Sequence, residues 1–181
     1  MFNYVGDISK IAQNIISTYI GSGKVAVDGT LGNGFDCDFL SDSFERVYAF
    51  DIQKVAIENY SSKNKENVIL VHDSHENLLN YINEEEIDVA MFNLGFLPGG
   101  DKLITTKGES TISSLKETLK LLKSGGIVTI AVYVGHPQGI EESEAILSLM
   151  SQLPKDKYGV LIHKFINRNS NSPYLLVVEK K

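Results

Sequence analysis

A single cysteine, Cys37, stands in 181 residues. That excludes an internal disulfide and any cysteine-cluster metal centre, fits a reducing compartment, and leaves Cys37 to be read as a small buried hydrophobe. No metal site is expected. No apolar run approaches the roughly 18 residues of a membrane span, and no basic segment followed by an apolar core opens the chain. The expectation is a cytoplasmic protein without a membrane partner. Positive charge is in deficit as well: 17 Lys and Arg against 23 Asp and Glu give a net charge of −6. Indiscriminate nucleic-acid binding is therefore not expected, although a local basic patch is compatible with that balance. Linkers, repeats and low-complexity tracts are missing too. What remains is 43% hydrophobic and 22% charged, the composition of an ordinary globule. The expectation is one domain over residues 1–181, burying about 70% of its unfolded surface.

The stretch that organises the chain is Val25-Ala26-Val27-Asp28-Gly29-Thr30-Leu31-Gly32-Asn33-Gly34-Phe35-Asp36. A short apolar run reads as a buried strand ending on a carboxylate. A glycine-rich turn follows, and apolar spacing resumes at Phe35, Phe39 and Leu40. Strand, tight turn and helix let backbone N–H groups and a helix N-terminus face a ligand, and Gly32 and Gly34 remove the Cβ atoms that would hold it off. A dinucleotide fingerprint would need glycine or alanine where Cys37 stands. Asp28, four residues before the first of these glycines, also suits a cationic ligand better than a pyrophosphate. The pattern Asp28-x-x-x-Gly32-x-Gly34 resembles the first motif of S-adenosylmethionine-dependent methyltransferases; an ordinary strand-turn is the plain alternative.

In order along the chain, Asp7 caps a helix with Ile8, Ile11, Ile15 and Tyr19 at helical spacing, ended by Gly21-Ser22-Gly23. A second strand, residues 47–50, finishes on Asp51, 17 residues beyond Gly34 and placed to hold ribose hydroxyls. Residues 53–64 read as a helix with Val55, Ala56, Ile57 and Tyr60 facing the sheet. A third strand, 68–71, leads into His72-Asp73-Ser74-His75, where polar groups are placed to read an adenine edge; His75 equally suits a helix start. A fourth, 87–92, delivers Asn93 through Asp101 to the same rim. Ile112, Leu115, Leu119 and Leu122 mark a helix stopped at Gly125-Gly126, before a fifth strand over 127–134. A helix over about 141–153 has acids near its N-terminus, matching the macrodipole. Runs 160–166 and 174–178 are joined too closely for a crossover helix and should pair as a hairpin. The predicted fold is α/β: a doubly wound, Rossmann-like sheet, mostly parallel, with a C-terminal antiparallel hairpin strand.

Ligands in such sheets bind beyond the carboxyl ends of the strands. Asp28, Asp51, Asp73, Asn93 and His136 all fall there. Asn93, followed by Leu94-Gly95-Phe96, occupies the place where amine-directed methyltransferases put an Asn or Asp, a turn and an aromatic. Its side-chain oxygen can accept from an amino group and aim the lone pair at a methyl; strand-end capping, with Phe96 packing, is the alternative. His136 is a candidate base or a structural turn residue, and the Tyr133 ring could stack on a nucleobase. Thr105, Thr106 and Lys107, with Lys102 and Arg168, suit a phosphate or ribose, or else form a solvated face.

Beyond these readings, the motifs resemble a named group. Val27 through Asp36, Ala49-Phe50-Asp51-Ile52-Gln53, His72-Asp73-Ser74-His75, Asn93-Leu94-Gly95-Phe96-Leu97-Pro98-Gly99-Gly100-Asp101, Gly135-His136-Pro137 and Phe165-Ile166-Asn167 ahead of Pro173 occur in the order of a small bacterial family. That family was long labelled rRNA-methylase-like and was later assigned to tRNA wobble-uridine modification. The resemblance implies a methyltransferase Rossmann sheet, a homodimer of like chains, and S-adenosyl-L-methionine as cofactor. It implies N-methylation of 5-aminomethyl-2-thiouridine in the tRNA anticodon stem-loop, giving the 5-methylaminomethyl form. It also implies that Asn33, Asp36, Asp51, Gln53, Ser74 and His75 hold the cofactor. The chain departs from the family pattern at Phe35 and Cys37, where His and Thr are usual, and at Phe96, where Tyr is frequent. Methylation of rRNA or of a small-molecule amine, and a non-catalytic cofactor-binding module, are the alternatives. A nicotinamide dehydrogenase is disfavoured by Cys37 and by the lack of a second domain.

Overall fold

The computed structural model describes residues 2–95, 106 and 108–181. Asp7 opens the first helix, α1 (Ile8–Tyr19), by accepting from the Ser9 backbone N–H at 2.8 Å. α1 buries Ile8, Ile11, Ala12 and Ile16, while Ile15 is half-buried and Tyr19 is exposed. The buried stripe is thus turned from the expected one, because Ile8, Ala12 and Ile16 stack at i, i+4 and i+8. β1 (Gly23–Asp28), β2 (Phe44–Phe50), β3 (Val68–Val71), β4 (Ile87–Asn93) and β5 (Leu122–Val132) follow, separated by α2 (Phe35–Ser41), α3 (Lys54–Ser61), a 3-10 turn (His75–Asn80) and α4 (Gly108–Leu121). α5 (Pro137–Ser151) leads to β6 (Tyr158–His163) and β7 (Tyr174–Lys180).

The seven strands order as β3-β2-β1-β4-β5-β7-β6. The first five are parallel, and β7 runs antiparallel to both β5 and β6, as the short connection required. Strands buried on both faces read as continuous apolar runs. One core packs Val27, Phe50, Phe92 and Ile130 against Leu115, Leu119 and Ile146 of α4 and α5. The other packs Ala26, Val47, Val89 and Met91 against α1, Leu40 of α2 and Tyr60 of α3. The strand order reverses between β1 and β4, and the crevice of a doubly wound sheet opens at such a point. Among the described residues, no helix is long and apolar enough to cross a membrane.

Details differ from the sequence reading, among them two boundaries and one buried face. α4 does not run on to Gly125-Gly126: β5 begins at Leu122, and pairing with β4 jumps from Ile87↔Leu122 to Val89↔Ile127. The intervening residues bulge around Asp88, with Gly125 at φ +74°. α5 begins at Pro137 rather than near 141, so Glu141 and Glu142 fall in its second turn, beyond the strongest dipole field. In α3, Ala56 and Tyr60 are buried, but Val55 is exposed.

Candidate active site

The carboxyl ends of β1, β2, β3, β4 and β5 surround a cavity of about 450 Å³. Its floor is the turn after β1. Gly34, at φ +78°, takes a backbone shape that side chains resist, and a Cβ there would lie 2.2 Å from the Tyr60 ring. Gly32, Asn33, Gly34 and Asp36 all line the cavity. Asp28 does not. Its side chain lies beneath the turn, only 1% exposed, where Oδ1 accepts from the Thr30 N–H at 3.0 Å and Oδ2 has no partner among the described residues. Burial, then the nearby Asp36 charge, pushes its carboxyl well above the ordinary range. Direct contact between Asp28 and a ligand in the cavity is therefore corrected: this group shapes the turn from below.

From the end of β2, Asp51 accepts the Gly32 N–H on Oδ2 at 2.9 Å and the Gln53 N–H on Oδ1 at 2.8 Å. Each oxygen keeps a lone pair, and Asp51 and Gln53 both face the cavity. Asp73, after β3, accepts from the Ser74 N–H, the Asn77 amide and the Tyr81 hydroxyl at 2.7, 3.0 and 2.8 Å. The Tyr81 and Asn77 donors hold its carboxyl below the usual range. Ser74 caps the 3-10 turn, and His75 is its first residue. His75 Nδ1 lies 2.9 Å from the Gly29 carbonyl, which can only accept, so that nitrogen carries the proton. Burial lowers the His75 pKa, favouring the neutral ring. Strand-end placement and helix start, left open by the sequence, thus hold together.

Asn93 ends β4 with its polar groups engaged: the backbone N–H donates to Thr30 Oγ1 at 2.7 Å, and Nδ2 donates to Ser9 Oγ at 3.0 Å and, at 3.4 Å, to Asp36 Oδ2. Gln13 Nε2 donates to the other Asp36 oxygen at 2.8 Å. Burial raises the Asp36 pKa, against these two amide donors. Tyr133 is half-exposed, and burial followed by the Asp7 and Asp36 charges raises its pKa, with Ser9 acting the other way. His136 is the N-cap of α5, with Nδ1 accepting from the Gly139 N–H at 3.0 Å. His136 thus takes the structural turn role that the sequence left open beside the base reading, and it also lines the cavity.

Gly95 and Thr106 bracket residues 96–105. The Gly95 N–H donates to Thr106 Oγ1 at 3.0 Å, and Thr106 Oγ1 donates to Glu142 Oε2 at 2.8 Å. Gly95 and Thr106 reach the cavity. Phe96, Thr105, Lys107 and Lys102 lie outside the described residues. Arg168 is committed elsewhere: its guanidinium donates to the Val5 and Gly6 carbonyls at 3.2 Å and stacks on Phe165. It is not part of a cavity-side basic patch. Sequence reasoning missed Ser9, Gln13, Thr30 and Glu142. The signal for the first two was present: polar residues at i and i+4 beside an apolar helix face.

Residues 47–179 match the family model described as Putative rRNA methylase. The chain belongs to that family. The match begins at β2, so β1 and the glycine turn rest on whole-chain likenesses. A solved structure described as an rRNA-methylase from Clostridium thermocellum shares 36% identity, covers 98% of this chain and 99% of its own, and superposes with a TM-score of 0.93. A solved structure described as a putative methyltransferase from Streptococcus mutans, in complex with SAH, shares 31% identity, with 98% and 99% coverage and a TM-score of 0.89. A curated relative, "tRNA (mnm(5)s(2)U34)-methyltransferase, chloroplastic" from Arabidopsis thaliana, is 36% identical over 177 residues. That alignment takes in 88% of this chain, which spans 65% of the relative's length.

Family membership makes the fold a Rossmann-like methyltransferase sheet, and the cofactor it implies is S-adenosylmethionine. The residues present fit that group. The turn is open at Gly34, Asp51 offers acceptor lone pairs suited to a diol, and apolar Phe50 and Ile52 sit beside it in the cavity.

Proposed function

We propose that the protein transfers a methyl group from S-adenosylmethionine to the amino group of 5-aminomethyl-2-thiouridine at the wobble position of tRNA, within the anticodon stem-loop. The observation that carries this reading is Asn93, a strand-end amide in the cavity whose donors are taken up by the protein and whose oxygen is left to accept. The 36% identity to a curated tRNA methyltransferase supports the substrate.

When bound, S-adenosylmethionine supplies an electrophilic methyl on a sulfonium, the demanding part of the chemistry. The turn at Gly32, Asn33 and Gly34, with Asp51, Gln53, Ser74 and His75, would hold it. Asp36, also in the wall, is held to Gln13 and Asn93 by hydrogen bonds. Asn93 Oδ1 accepts one N–H of the amine and so turns the nitrogen lone pair away from the amide. An aliphatic amine titrates near 10, so presenting it neutral at pH 7 costs about 4 kcal/mol. Withdrawal of water from the cavity lowers that cost by disfavouring the ammonium form. Alignment of nucleophile and methyl then accounts for much of the rate, as positioning does in two-substrate enzymes. In this reading Tyr133 would stack on the base, and Gly95, Phe96, Thr105, Thr106 and Lys107 would contact the tRNA. The expected homodimer stays a proposal, supported by exposed Leu161 and Ile162 on edge strand β6 and tested by sedimentation velocity.

The test is methyl transfer by the purified protein to tRNA carrying the aminomethyl group, read by nucleoside mass spectrometry. Conversion to the 5-methylaminomethyl nucleoside, with none on unmodified uridine, is expected. Transfer to rRNA alone would favour the second reading, which the family's description supports. Asn93→Ala should lower kcat by about a hundredfold, the scale of a lost positioning contact, with S-adenosylmethionine affinity within about twofold of wild type.

A further inference from the structure

α1 packs on the face of the sheet opposite α4 and α5 and hydrogen-bonds the cavity residues Asn93 and Asp36. Its Ser9 and Gln13, at i and i+4, project from one face of the helix, next to the buried Ile8, Ile11 and Ala12. Neither side chain belongs to a motif of the methyl-donor site. Yet Ser9 Oγ is 3.0 Å from Asn93 Nδ2, and Gln13 Nε2 is 2.8 Å from Asp36 Oδ1, the carboxylate whose other oxygen faces the same Asn93 nitrogen at 3.4 Å.

We propose that Ser9, and Gln13 acting through Asp36, are positioning residues of the methyl-transfer site: they fix which end of the Asn93 amide faces the substrate. This rests on the assignment of Asn93 to the substrate amine made above. An asparagine amide has two ends of nearly equal shape and opposite chemistry, and its orientation follows from the bonds around it. Turned the other way, Asn93 would place Oδ1 3.4 Å from an Asp36 oxygen, acceptor against acceptor, with no hydrogen between them. As observed, the two hydrogens of Nδ2 go to Ser9 Oγ and Asp36 Oδ2, and the backbone N–H goes to Thr30. Only Oδ1 is left, and no described residue donates to it. The cavity therefore presents an acceptor at this point. An acceptor selects a nucleophile that carries hydrogen, such as an amine, over a carbonyl or a phosphate oxygen. Gln13 keeps the Asp36 carboxylate turned to Asn93. One face of α1 thus sets the polarity of the substrate contact.

Ser9→Ala removes the hydroxyl but keeps the helix cap, because Asp7 accepts the Ser9 backbone N–H. Two readouts test the proposal on the full-length protein. In 15N-labelled protein without cofactor, hydrogen exchange of the Asn93 side-chain amide should rise about tenfold in Ser9→Ala and stay near wild type in Ser9→Thr. With S-adenosylmethionine and tRNA bearing the aminomethyl group, kcat should fall about tenfold in Ser9→Ala and less in Gln13→Met. KM for S-adenosylmethionine should be unmoved, and Ser9→Thr should recover most of kcat. In an Asn93→Ala background, measured in single turnovers, Ser9→Ala should have no further effect, since coupled residues are not additive. Wild-type exchange and kcat in both Ser9→Ala and Gln13→Met would overturn the proposal. So would an equal loss from Ser9→Ala with and without Asn93. Full turnover in Asn93→Ala would instead remove the assignment of Asn93 itself, and the positioning role with it.

Discussion

Asp28 keeps an unpartnered carboxylate oxygen buried under the floor of the cavity, next to the Asp36 charge. A charge without a partner is costly in such a place. Burial and that neighbour raise the folded-state pKa of Asp28 above its unfolded value, so between the two the native state binds the extra proton. Stability should therefore fall as pH rises from the unfolded pKa through the folded one. Asp28→Asn keeps the acceptor for Thr30 and removes the titration. It is expected to raise the urea midpoint at pH 7.5 and to flatten its fall with rising pH; an unchanged slope would show that Asp28 ionises freely. Asp36 has the same sign, its pKa raised first by burial and further by Asp7. If ionised Asp36 anchors Asn93, the acid limb of kcat lies above the ordinary carboxylate range. Asp7→Asn, which keeps a good helix cap while removing the charge, should move that limb to lower pH in a pH–rate profile. Strand position made Asp51 and Asn93 legible in the sequence. It could not give the direction of Asp28, which depends on a backbone N–H two residues on, or the capping role of His136, which depends on the Gly139 N–H.

At the scale of elements, the opposite end of the sheet is tied by one residue. Asp88, at the start of β4, accepts the Lys24 and Val25 N–H groups of β1 on Oδ2 at 2.9 and 2.8 Å, and pairs with Lys123 from the bulge in β5. Burial raises its carboxyl, but Lys123 and the two N–H donors outweigh that and the net pKa is lowered. Asp88→Ala leaves two strand-end donors without an acceptor, at about 1–3 kcal/mol each when buried. A loss of about 2–4 kcal/mol by urea denaturation is expected; a loss under about 0.5 kcal/mol would mean that water replaces the carboxylate. Because the group's stabilisation is present above its unfolded pKa, it should vanish as pH falls through the folded one. The same contact explains why the α4–β5 boundary was not legible. Gly125-Gly126 reads locally as a helix stop, whereas Leu122 joins the sheet because Asp88 and Lys123 meet 35 residues apart. The strands themselves were legible, since parallel strands covered on both faces must be apolar throughout. The start of α5 was not, because a histidine cap before Pro137 falls outside the usual Ser, Thr, Asp or Asn signal.

For the whole molecule, the strand reversal between β1 and β4 gathers side chains from the ends of five strands into one cavity. A ligand that fills it bridges both halves of the sheet and binds the native state alone. Its binding therefore adds RT ln(1 + [L]/Kd) to stability, about 2.7 kcal/mol at a hundredfold excess over Kd. For a chain of this size about 1 kcal/mol moves Tm by 2–4 °C, so S-adenosylhomocysteine at that excess should raise Tm by about 5–10 °C. Asp51→Ala, which removes the acceptor at the end of β2, should lose most of that shift. The reduced nicotinamide dinucleotide should give none, because Cys37 occupies the position where its fingerprint needs glycine or alanine. The net charge of −6 adds a second expectation at this scale. Unmodified RNA should bind weakly, so in the proposed reaction discrimination would come from the aminomethyl group reaching the Asn93 acceptor rather than from phosphate attraction. A thermal shift with the dinucleotide and none with S-adenosylhomocysteine would reverse the assignment of the cavity. Equal shifts from both would mean that the turn reads only adenosine, leaving specificity to the far side of the cavity where Asn93 and Tyr133 stand.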